Sequence, residues 1–266
     1  MKLAAALDVP RQGVRRRRPD WLRLKLPSLI ALILLWQGAA MLIADPALVP
    51  TPLATLAAGY RHLMTGELPL SLAATLARVV VAFFFAMVIG SAIGIALGRS
   101  QQADTIFGGW LSIALNMPAL VTIVLCYVWF GLSETAAIVA VTINKAPTVA
   151  AIMREGARAL DRQLLETTQV FGVPRWKVLR QVVLPQLAPS FIASARAGLA
   201  LTWKIVLVVE LLGRPNGVGF EIRNFFNYFD IAGILAYSLA FIAIVLAIET
   251  FIMQPIERRA GRWRTA

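Results

Sequence analysis

Long apolar runs separated by short polar connections dominate the pattern of this 266-residue chain. A bilayer core about 30 Å thick requires about 20 apolar residues per helix, so such runs predict membrane-spanning helices. Only residues 131–133 separate the third run from the fourth, which predicts a tight helical hairpin. The sequence therefore predicts an all-α, polytopic membrane protein with about six transmembrane helices, at 28–44, 73–98, 106–130, 134–152, 191–212 and 231–253.

Small residues and prolines inside these runs predict how the helices pack. Gly90, Gly94 and Gly98 are four residues apart and share one helix face, where the backbone of another helix can approach closely. Pro118 and Pro147 each remove a backbone hydrogen bond, which predicts kinks in the third and fourth helices.

Composition and charge support a membrane protein and give its orientation. Hydrophobic residues make up 59% of the chain and charged residues 15%, and the net charge of +12 comes from basic residues concentrated in the connections. That segregation favours membrane orientation over nucleic-acid binding. One side carries 19 Lys and Arg and the other carries three, so both termini are predicted to lie in the cytoplasm, with the chain in the inner (cytoplasmic) membrane.

The same pattern divides the chain into five parts. The first apolar run is interpreted as a retained anchor, because no cleavage pattern and soluble domain follow it. Within the segment after it, Leu53 to Met64 has helical spacing, and a helix along the membrane surface and an irregular connection are both compatible with it. The parts are a basic cytoplasmic arm at 1–27, the first transmembrane helix at 28–44, a periplasmic segment at 45–72, a main transmembrane domain at 73–253 that includes the connection at 153–190, and a basic cytoplasmic tail at 254–266.

The polar connection at 153–190 is too patterned to be a plain linker. Its apolar spacing predicts one helix from Glu155 to Phe171, ended by Gly172, because glycine adopts the left-handed C-terminal conformation without a penalty. Pro174 is suited to the first turn of a second helix, Arg175 to Val183, which is predicted to stop near Leu184 and Pro185. A cytoplasmic helix-turn-helix of this kind can dock as a unit into a groove on a partner.

The residues of this connection resemble the signature loop of bacterial ABC importer permeases. That signature reads Glu-Ala-Ala, three residues, Gly, nine residues, Ile, one residue, Leu-Pro. The spacing agrees throughout, with Thr-Thr in place of Ala-Ala and Val in place of Ile. The matching positions are Glu166, Thr167, Thr168, Gly172, Val182, Leu184 and Pro185.

Two further stretches resemble the permeases for nitrate, sulfonate, taurine and bicarbonate. One is Arg78-Val-x-x-x-Phe at the start of the second helix. The other is Trp203 followed by Glu210-Leu-Leu-Gly213 and Gly217-Val-Gly219. The resemblance covers about residues 70–255.

The resemblance implies a type I, non-catalytic transport subunit, and the chain itself contains no phosphate-binding loop. It implies a homodimer of permease subunits, two cytoplasmic ATP-binding subunits and a periplasmic or lipid-anchored substrate-binding protein. ATP and Mg²⁺ would bind the partner ATPase, and this chain is expected to bind membrane lipid but no cofactor, metal or nucleic acid. The residues implied to couple to the ATPase are Glu166, Thr167, Thr168, Gly172, Pro174, Trp176, Leu184 and Pro185.

Charged residues inside the apolar runs are candidates for a substrate pathway. Lys145 and Lys204 lie well inside their helices, where they either give a pathway a positive lining or pair with a carboxylate or carbonyl of another helix. Arg78, Arg196 and Glu249 lie nearer the helix ends and are expected mainly to extend their charges to water. The proposed pathway set is Lys145, Lys204, Asn144, Trp203 and Glu210.

A small organic or inorganic anion is the substrate class that the resemblance favours. Related permeases that carry pyrimidine thiamine precursors or aromatic acids leave a second substrate class open. A secondary transporter is the other alternative, but it would usually have about ten or twelve spans with inverted repeats. An intramembrane enzyme would need paired carboxylates, a histidine cluster or a Ser/Lys arrangement, and a single histidine with scattered carboxylates supplies none of these.

Overall fold

The computed structural model describes residues 21–256, with side chains from residue 27 onward. Most of the predicted basic arm and of the basic tail lies outside the described residues. Every regular element within the described range is a helix, as the sequence predicts. The described residues form two compact units, which divide between Pro52 and Leu53.

The first unit contains one long helix, α1 (Trp21–Ile43). Its apolar part, Pro27–Ile43, coincides with the first predicted span but is short for a full crossing. After the helix the chain turns back, and the indole Nε1 of Trp36 donates a hydrogen bond to the carbonyl of Pro50 at 3.0 Å.

The second unit contains the remaining helices. Serine or aspartate caps begin several of them by accepting a hydrogen bond from a backbone N–H of the first turn, as Ser100, Ser133, Asp161 and Asp230 do. The helices are α2 (Pro52–Met64), α3 (Glu67–Arg99), α4 (Gln101–Asn116), α5 (Ala119–Phe130), α6 (Glu134–Arg158), α7 (Arg162–Val170), α8 (Arg175–Val178), α9 (Leu184–Gly213), α10 (Val218–Asn227) and α11 (Ile231–Ile248), with π-helical turns at Leu179–Val183 and Glu249–Met253.

Each of the six predicted spans coincides with helical structure. Four continuous helices are long and apolar enough to cross a membrane: Glu67–Arg99, Glu134–Arg158, Arg175–Gly213 and Ile231–Ile256. The first of these begins at Glu67, six residues before the predicted start of the second span. With the bent pair α4 and α5 counted as one span, the described residues contain up to five such spans, in addition to the shorter helix of the first unit.

The third predicted span is two helices rather than one kinked helix. The axes of α4 and α5 differ by 95° across the break between them. Met117 adopts an extended conformation, with φ −69° and ψ 124°, because the ring of Pro118 disfavours the helical region for the residue before it. Pro147, in contrast, lies within α6, which continues as one helix on both sides of it.

The glycine face of α3 packs against α6, as its spacing predicts. A Cβ atom at Gly90 would lie 2.6 Å from the carbonyl oxygen of Ala146, and one at Gly98 would lie 2.5 Å from that of Arg154. A Cβ at Gly94 would clash with the carbonyl oxygen of Ala150. The two helix backbones are therefore in direct contact, which holds α6 in a defined position between α3 and α9.

Candidate functional site

The connection between α6 and α9 forms a projecting element that we call the loop tip (residues 162–178). Asp161 begins α7, and its Oδ1 accepts a hydrogen bond from the N–H of Leu164 at 3.1 Å. Gly172, with φ +60°, ends the helix, and the N–H of Val173 donates to the carbonyl of Thr168 at 3.0 Å. Pro174 directly precedes α8. The predicted turn at Gly172 is therefore present.

Two boundaries predicted for this connection are wrong. The first helix does not run from Glu155 to Phe171, since α6 ends at Arg158 and Asp161 starts a new helix. The second helix does not stop near Leu184 and Pro185 but continues from Arg175 to Gly213 over 39 residues. Proline lacks the N–H that an α-helix would use, and a π-helical turn precedes it, in which the N–H of Leu184 bonds to the carbonyl of Leu179. The loop tip is thus joined to a span by continuous helix.

Large apolar side chains cover the outer surface of the loop tip. Val170, Phe171 and Trp176 are 84%, 78% and 68% exposed. They flank the turn at Gly172, from the end of α7 to the first turn of α8. An exposed apolar cluster on a polar connection is typical of a surface that binds another protein.

The other residues predicted to act in coupling are distributed over the loop tip and the base of α9. Glu166 and Thr167 are exposed, and Thr168 is half-buried. The hydroxyls of Thr167 and Thr168 donate to backbone carbonyls of α7, at 2.8 and 2.7 Å, so the Thr-Thr pair is accommodated within its own helix. Leu184 and Pro185 are exposed at the start of α9.

At the opposite end of the second unit, a buried charged cluster joins α3, α6 and α9. Glu210 is 0% exposed and Arg78 is 5% exposed. The Nη1 of Arg78 donates to Oε1 of Glu210 at 2.6 Å, and its Nε donates to Oε1 of Glu134 at 2.5 Å. The guanidinium also donates to the side-chain oxygen and the carbonyl of Asn216. Arg214 completes the cluster through an ion pair with Glu134 at 2.6 Å.

The second oxygen of Glu210 is held by the segment after α9. Its Oε2 accepts hydrogen bonds from the hydroxyl of Thr75 and the N–H of Gly219, both at 2.9 Å. Gly217, with φ +107°, lies against this carboxylate, and a Cβ there would lie 2.5 Å from the Cδ of Glu210. Glycine is therefore required at this position both by backbone conformation and by space.

This cluster corrects two expectations from the sequence. Arg78 does not extend to water but is buried and makes five hydrogen bonds. Glu210 does not line an open path, because it is fully buried and both of its oxygens accept hydrogen bonds. The two stretches that carried the second resemblance, around Arg78 and from Glu210 to Gly219, are parts of one packed structure, which spacing alone does not reveal.

The remaining pathway candidates lie midway along α6 and α9. Lys145 is buried, Asn144 is half-buried, and Lys204 is exposed. Within residues 27–256, no hydrogen bond or ion pair involves the ammonium of Lys145 or Lys204, so the alternative of pairing with a carboxylate is not realised there.

Lys145 and Lys204 are at similar depths in the second unit. Gly198 of α9 lies beside Val149 of α6, since a Cβ at Gly198 would be 3.5 Å from Cγ2 of Val149. These two residues therefore lie at the same level. The two helices are antiparallel, so Lys145 lies level with Thr202, within about 3 Å of the level of Lys204 at 1.5 Å per residue.

A cleft between α9 and α11, with a volume of about 420 Å³, contains two of the predicted pathway residues, Trp203 and Lys204. Trp203 is buried and packs edge-on against Phe241, with ring centroids 6.0 Å apart. Arg196 forms an ion pair with Glu249 at 3.6 Å at one end of the cleft. The other predicted pathway residues, Lys145, Asn144 and Glu210, do not line it.

Comparison with protein families identifies a family that matches most of the chain. The model of the family described as binding-protein-dependent transport system inner membrane component matches residues 86–256. This range begins within α3 and includes the loop tip, the cleft and most of the buried charged cluster.

Two relatives are similar over nearly the whole chain. The taurine transport system permease protein TauC of Escherichia coli is 28% identical over 90% of this chain and 89% of its own length. The putative aliphatic sulfonates transport permease protein SsuC of Bacillus subtilis is 26% identical over 100% of this chain and 99% of its own length.

Solved structures share the fold. The inward-facing MetNI methionine ABC transporter has a chain that aligns with a TM-score of 0.64 at 21% identity, over 74% of this chain and 97% of that chain. A chain of an amino acid ABC transporter aligns with a TM-score of 0.61 at 19% identity, over 75% of this chain and 97% of that chain.

Proposed function

Because the chain belongs to the family of binding-protein-dependent transport system inner membrane components, we propose that it is the subunit through which an ATP-driven importer moves small sulfonate anions across the membrane. Members of this family are non-catalytic, multi-pass inner-membrane permeases of ABC importers. The loop tip carries the proposal, because it combines an exposed apolar surface with a continuous helical connection to a span.

The loop tip is suited to transmit force from a separate ATPase. Phe171 and Trp176 provide large apolar anchors of the kind that dominate protein interfaces. Because α8, the π-helical turn and α9 are continuous, a displacement of the tip reaches residues of the span without an intervening hinge. The carboxyl end of α6 enters the tip from the other side through Asp161, so both spans that flank it would respond to the same motion.

The proposed assembly contains two copies of this chain, two cytoplasmic ATP-binding subunits that hold ATP and Mg²⁺, and a substrate-binding protein on the outer side. Five or six spans are too few to enclose a substrate pathway comfortably. This supports an assembly in which two copies of the chain pack together. The distribution of Lys and Arg supports the loop tip and both termini on the cytoplasmic side. The buried charged cluster would then lie at the periplasmic end.

Sulfonates are proposed as substrates on two grounds. Two of the relatives that match nearly the whole chain carry taurine and aliphatic sulfonates in their names. Lys145 and Lys204 provide positive charge at one level of the second unit without a neutralising carboxylate among the described residues. An uncompensated cation at this depth is costly unless it faces water or an anion, which favours an anion pathway.

Reconstitution tests this proposal directly. The chain is coexpressed with a candidate ATP-binding subunit and a candidate sulfonate-binding protein, purified and incorporated into vesicles. We expect ATP-dependent uptake of labelled ethanesulfonate or taurine, and no uptake without the ATPase. Copurification with no ATPase would reject the subunit assignment. Uptake of a pyrimidine thiamine precursor or an aromatic acid in place of sulfonates would reject sulfonates as the substrate class.

Replacement of Lys204 with Gln is expected to lower sulfonate uptake about tenfold, corresponding to about 1.4 kcal/mol of lost attraction. Because Lys204 is far from the loop tip, binding of the ATPase subunit is expected to stay at the wild-type level. Lys204→Arg keeps the charge and should retain most uptake. Arg61→Gln, at an exposed position on α2, is the control for loss of one positive charge. Unchanged uptake in Lys204→Gln would remove this residue from the pathway.

A further inference from the structure

The cleft between α9 and α11 has a mainly apolar wall and a positively charged interior. Nine of its twelve lining residues are apolar, with Trp203 and Phe241 packed against each other. Its volume of about 420 Å³ lies in the range of small-molecule sites. Burial of a ligand's hydrocarbon part against such a wall makes the binding free energy more favourable. A small, fully hydrated ion has no apolar surface to bury there.

Three charged side chains line the same cleft, and they leave a net positive charge. Arg196 and Glu249 are about half exposed and pair at 3.6 Å. Lys204 has no carboxylate within ion-pair distance among the described residues. It is eight residues from Arg196 along α9, which is about 12 Å at 1.5 Å per residue. The cleft therefore has space beside Lys204 for one negative charge that the Arg196–Glu249 pair does not supply.

We propose that this cleft binds an amphiphilic monoanion, an alkanesulfonate, with the sulfonate at Lys204 and the alkyl chain along the apolar wall. This inference rests on the proposed function and narrows its substrate class. Nitrate and bicarbonate have no apolar part to bury against Leu199, Val245 or Leu246. Taurine would bring its ammonium among apolar side chains, so it is expected to bind here less tightly than ethanesulfonate.

Chain length gives the proposal a quantitative signature. Each methylene buried against the wall is expected to improve apparent affinity about threefold to fourfold until the cleft is filled. A series from methanesulfonate to hexanesulfonate should therefore show rising affinity. A site that recognised the sulfonate alone would give one affinity for the whole series.

Cysteine labelling at Ala200 tests the site in the assembled transporter. Ala200 is exposed and lines the cleft one turn from Lys204. The native Cys126 is buried, so the wild type serves as the unlabelled control. In Ala200→Cys, a sulfonatoethyl methanethiosulfonate reagent is expected to react about tenfold faster than its trimethylammonioethyl counterpart, after correction for reaction with free thiol. The Lys204→Gln change in the same background should abolish that preference.

Protection by ligands identifies the occupant. Hexanesulfonate is expected to slow labelling of Ala200→Cys more than ethanesulfonate, and ethanesulfonate more than taurine. Leu201→Cys, exposed on the same helix but outside the cleft lining, is the matched control and should show neither anion preference nor protection. Equal rates with both reagents, or protection that does not depend on chain length, would overturn the proposal.

An anionic lipid headgroup has the same chemistry as an alkanesulfonate, so the labelling is carried out in two kinds of vesicle. If phosphatidylglycerol slows labelling and hexanesulfonate does not protect in pure phosphatidylcholine, the cleft is a lipid site and the proposed alkanesulfonate site is wrong. Labelling requires no ATP. Sulfonate uptake without protection at Ala200 would therefore reject the cleft alone, whereas absence of sulfonate uptake would reject the proposed function.

Discussion

Replacement of Glu210 with alanine is expected to lower the stability of the folded protein by about 3–5 kcal/mol, the usual effect of removing one partner from a buried ion pair. The change leaves Arg78, 5% exposed, with one carboxylate fewer, and leaves the hydroxyl of Thr75 and the N–H of Gly219 without their shared acceptor. Because α3, α9 and the Gly217–Gly219 segment meet at this carboxylate, the loss should separate their ends. The effect is measured by heating the purified protein in detergent and recording, at each temperature, the fraction that remains monodisperse.

Glu155→Ala is the matched control for Glu210→Ala. Glu155 accepts from Arg154 and Arg158, each at 3.1 Å, but its side chain is 60% exposed. Exposed ion pairs contribute about 1 kcal/mol or less, so this variant should unfold close to the wild type. The double variant Arg78→Met, Glu210→Leu removes both charges and should recover part of the stability. Equal unfolding temperatures for Glu210→Ala and Glu155→Ala would show that the cluster contributes little.

Replacement of both Phe171 and Trp176 with alanine is expected to weaken binding of the ATPase subunit by about 30-fold or more, corresponding to the loss of at least one interface hot spot of about 2 kcal/mol. ATP-driven uptake should fall with it. Both side chains are exposed in the isolated chain, so the variant should fold and insert like the wild type. The measurements are the dissociation constant of the ATPase subunit in nanodiscs and the uptake rate in vesicles.

Tyr228→Ala provides the comparison for this double variant. Tyr228 is an aromatic residue that is 82% exposed, but it follows α10 at the end of the second unit opposite the loop tip. Its removal should leave ATPase binding unchanged. ATPase binding that survives in Phe171→Ala, Trp176→Ala would mean that the loop tip is not the coupling surface.

The spans and the turn of the loop tip were predictable because their signals are local. A run of apolar residues has to be buried from water wherever it occurs, and Gly172 ends α7 through its own backbone freedom. The packing of Gly90, Gly94 and Gly98 on another helix was predictable for a similar reason, since four-residue spacing places them on one face. The identity of that other helix, α6, was not predictable from the spacing.

Prolines show where local signals are insufficient. Pro118 produces a 95° break, Pro147 lies inside a continuous helix, and Pro185 follows a π-helical turn within a helix of 39 residues. Each ring removes one backbone donor, but the neighbouring helices determine whether the chain bends, continues or adjusts its hydrogen bonding. The predicted helix end at Leu184 and Pro185 was wrong for this reason.

The sequence by itself determined that the chain is an all-α membrane protein, where its apolar helical segments lie, and that a patterned polar loop follows α6. These properties follow from hydrophobicity and backbone chemistry, which act residue by residue. Only the tertiary structure decided that Arg78 and Glu210, separated by 132 positions, form a buried pair, and that Lys204 faces a cleft while Lys145 is enclosed. In the low dielectric of the interior, a buried charge is stable only with a partner of opposite charge or with hydrogen bonds. That partner can come from a distant segment, so its identity depends on which helices pack together and cannot be read from the local sequence pattern.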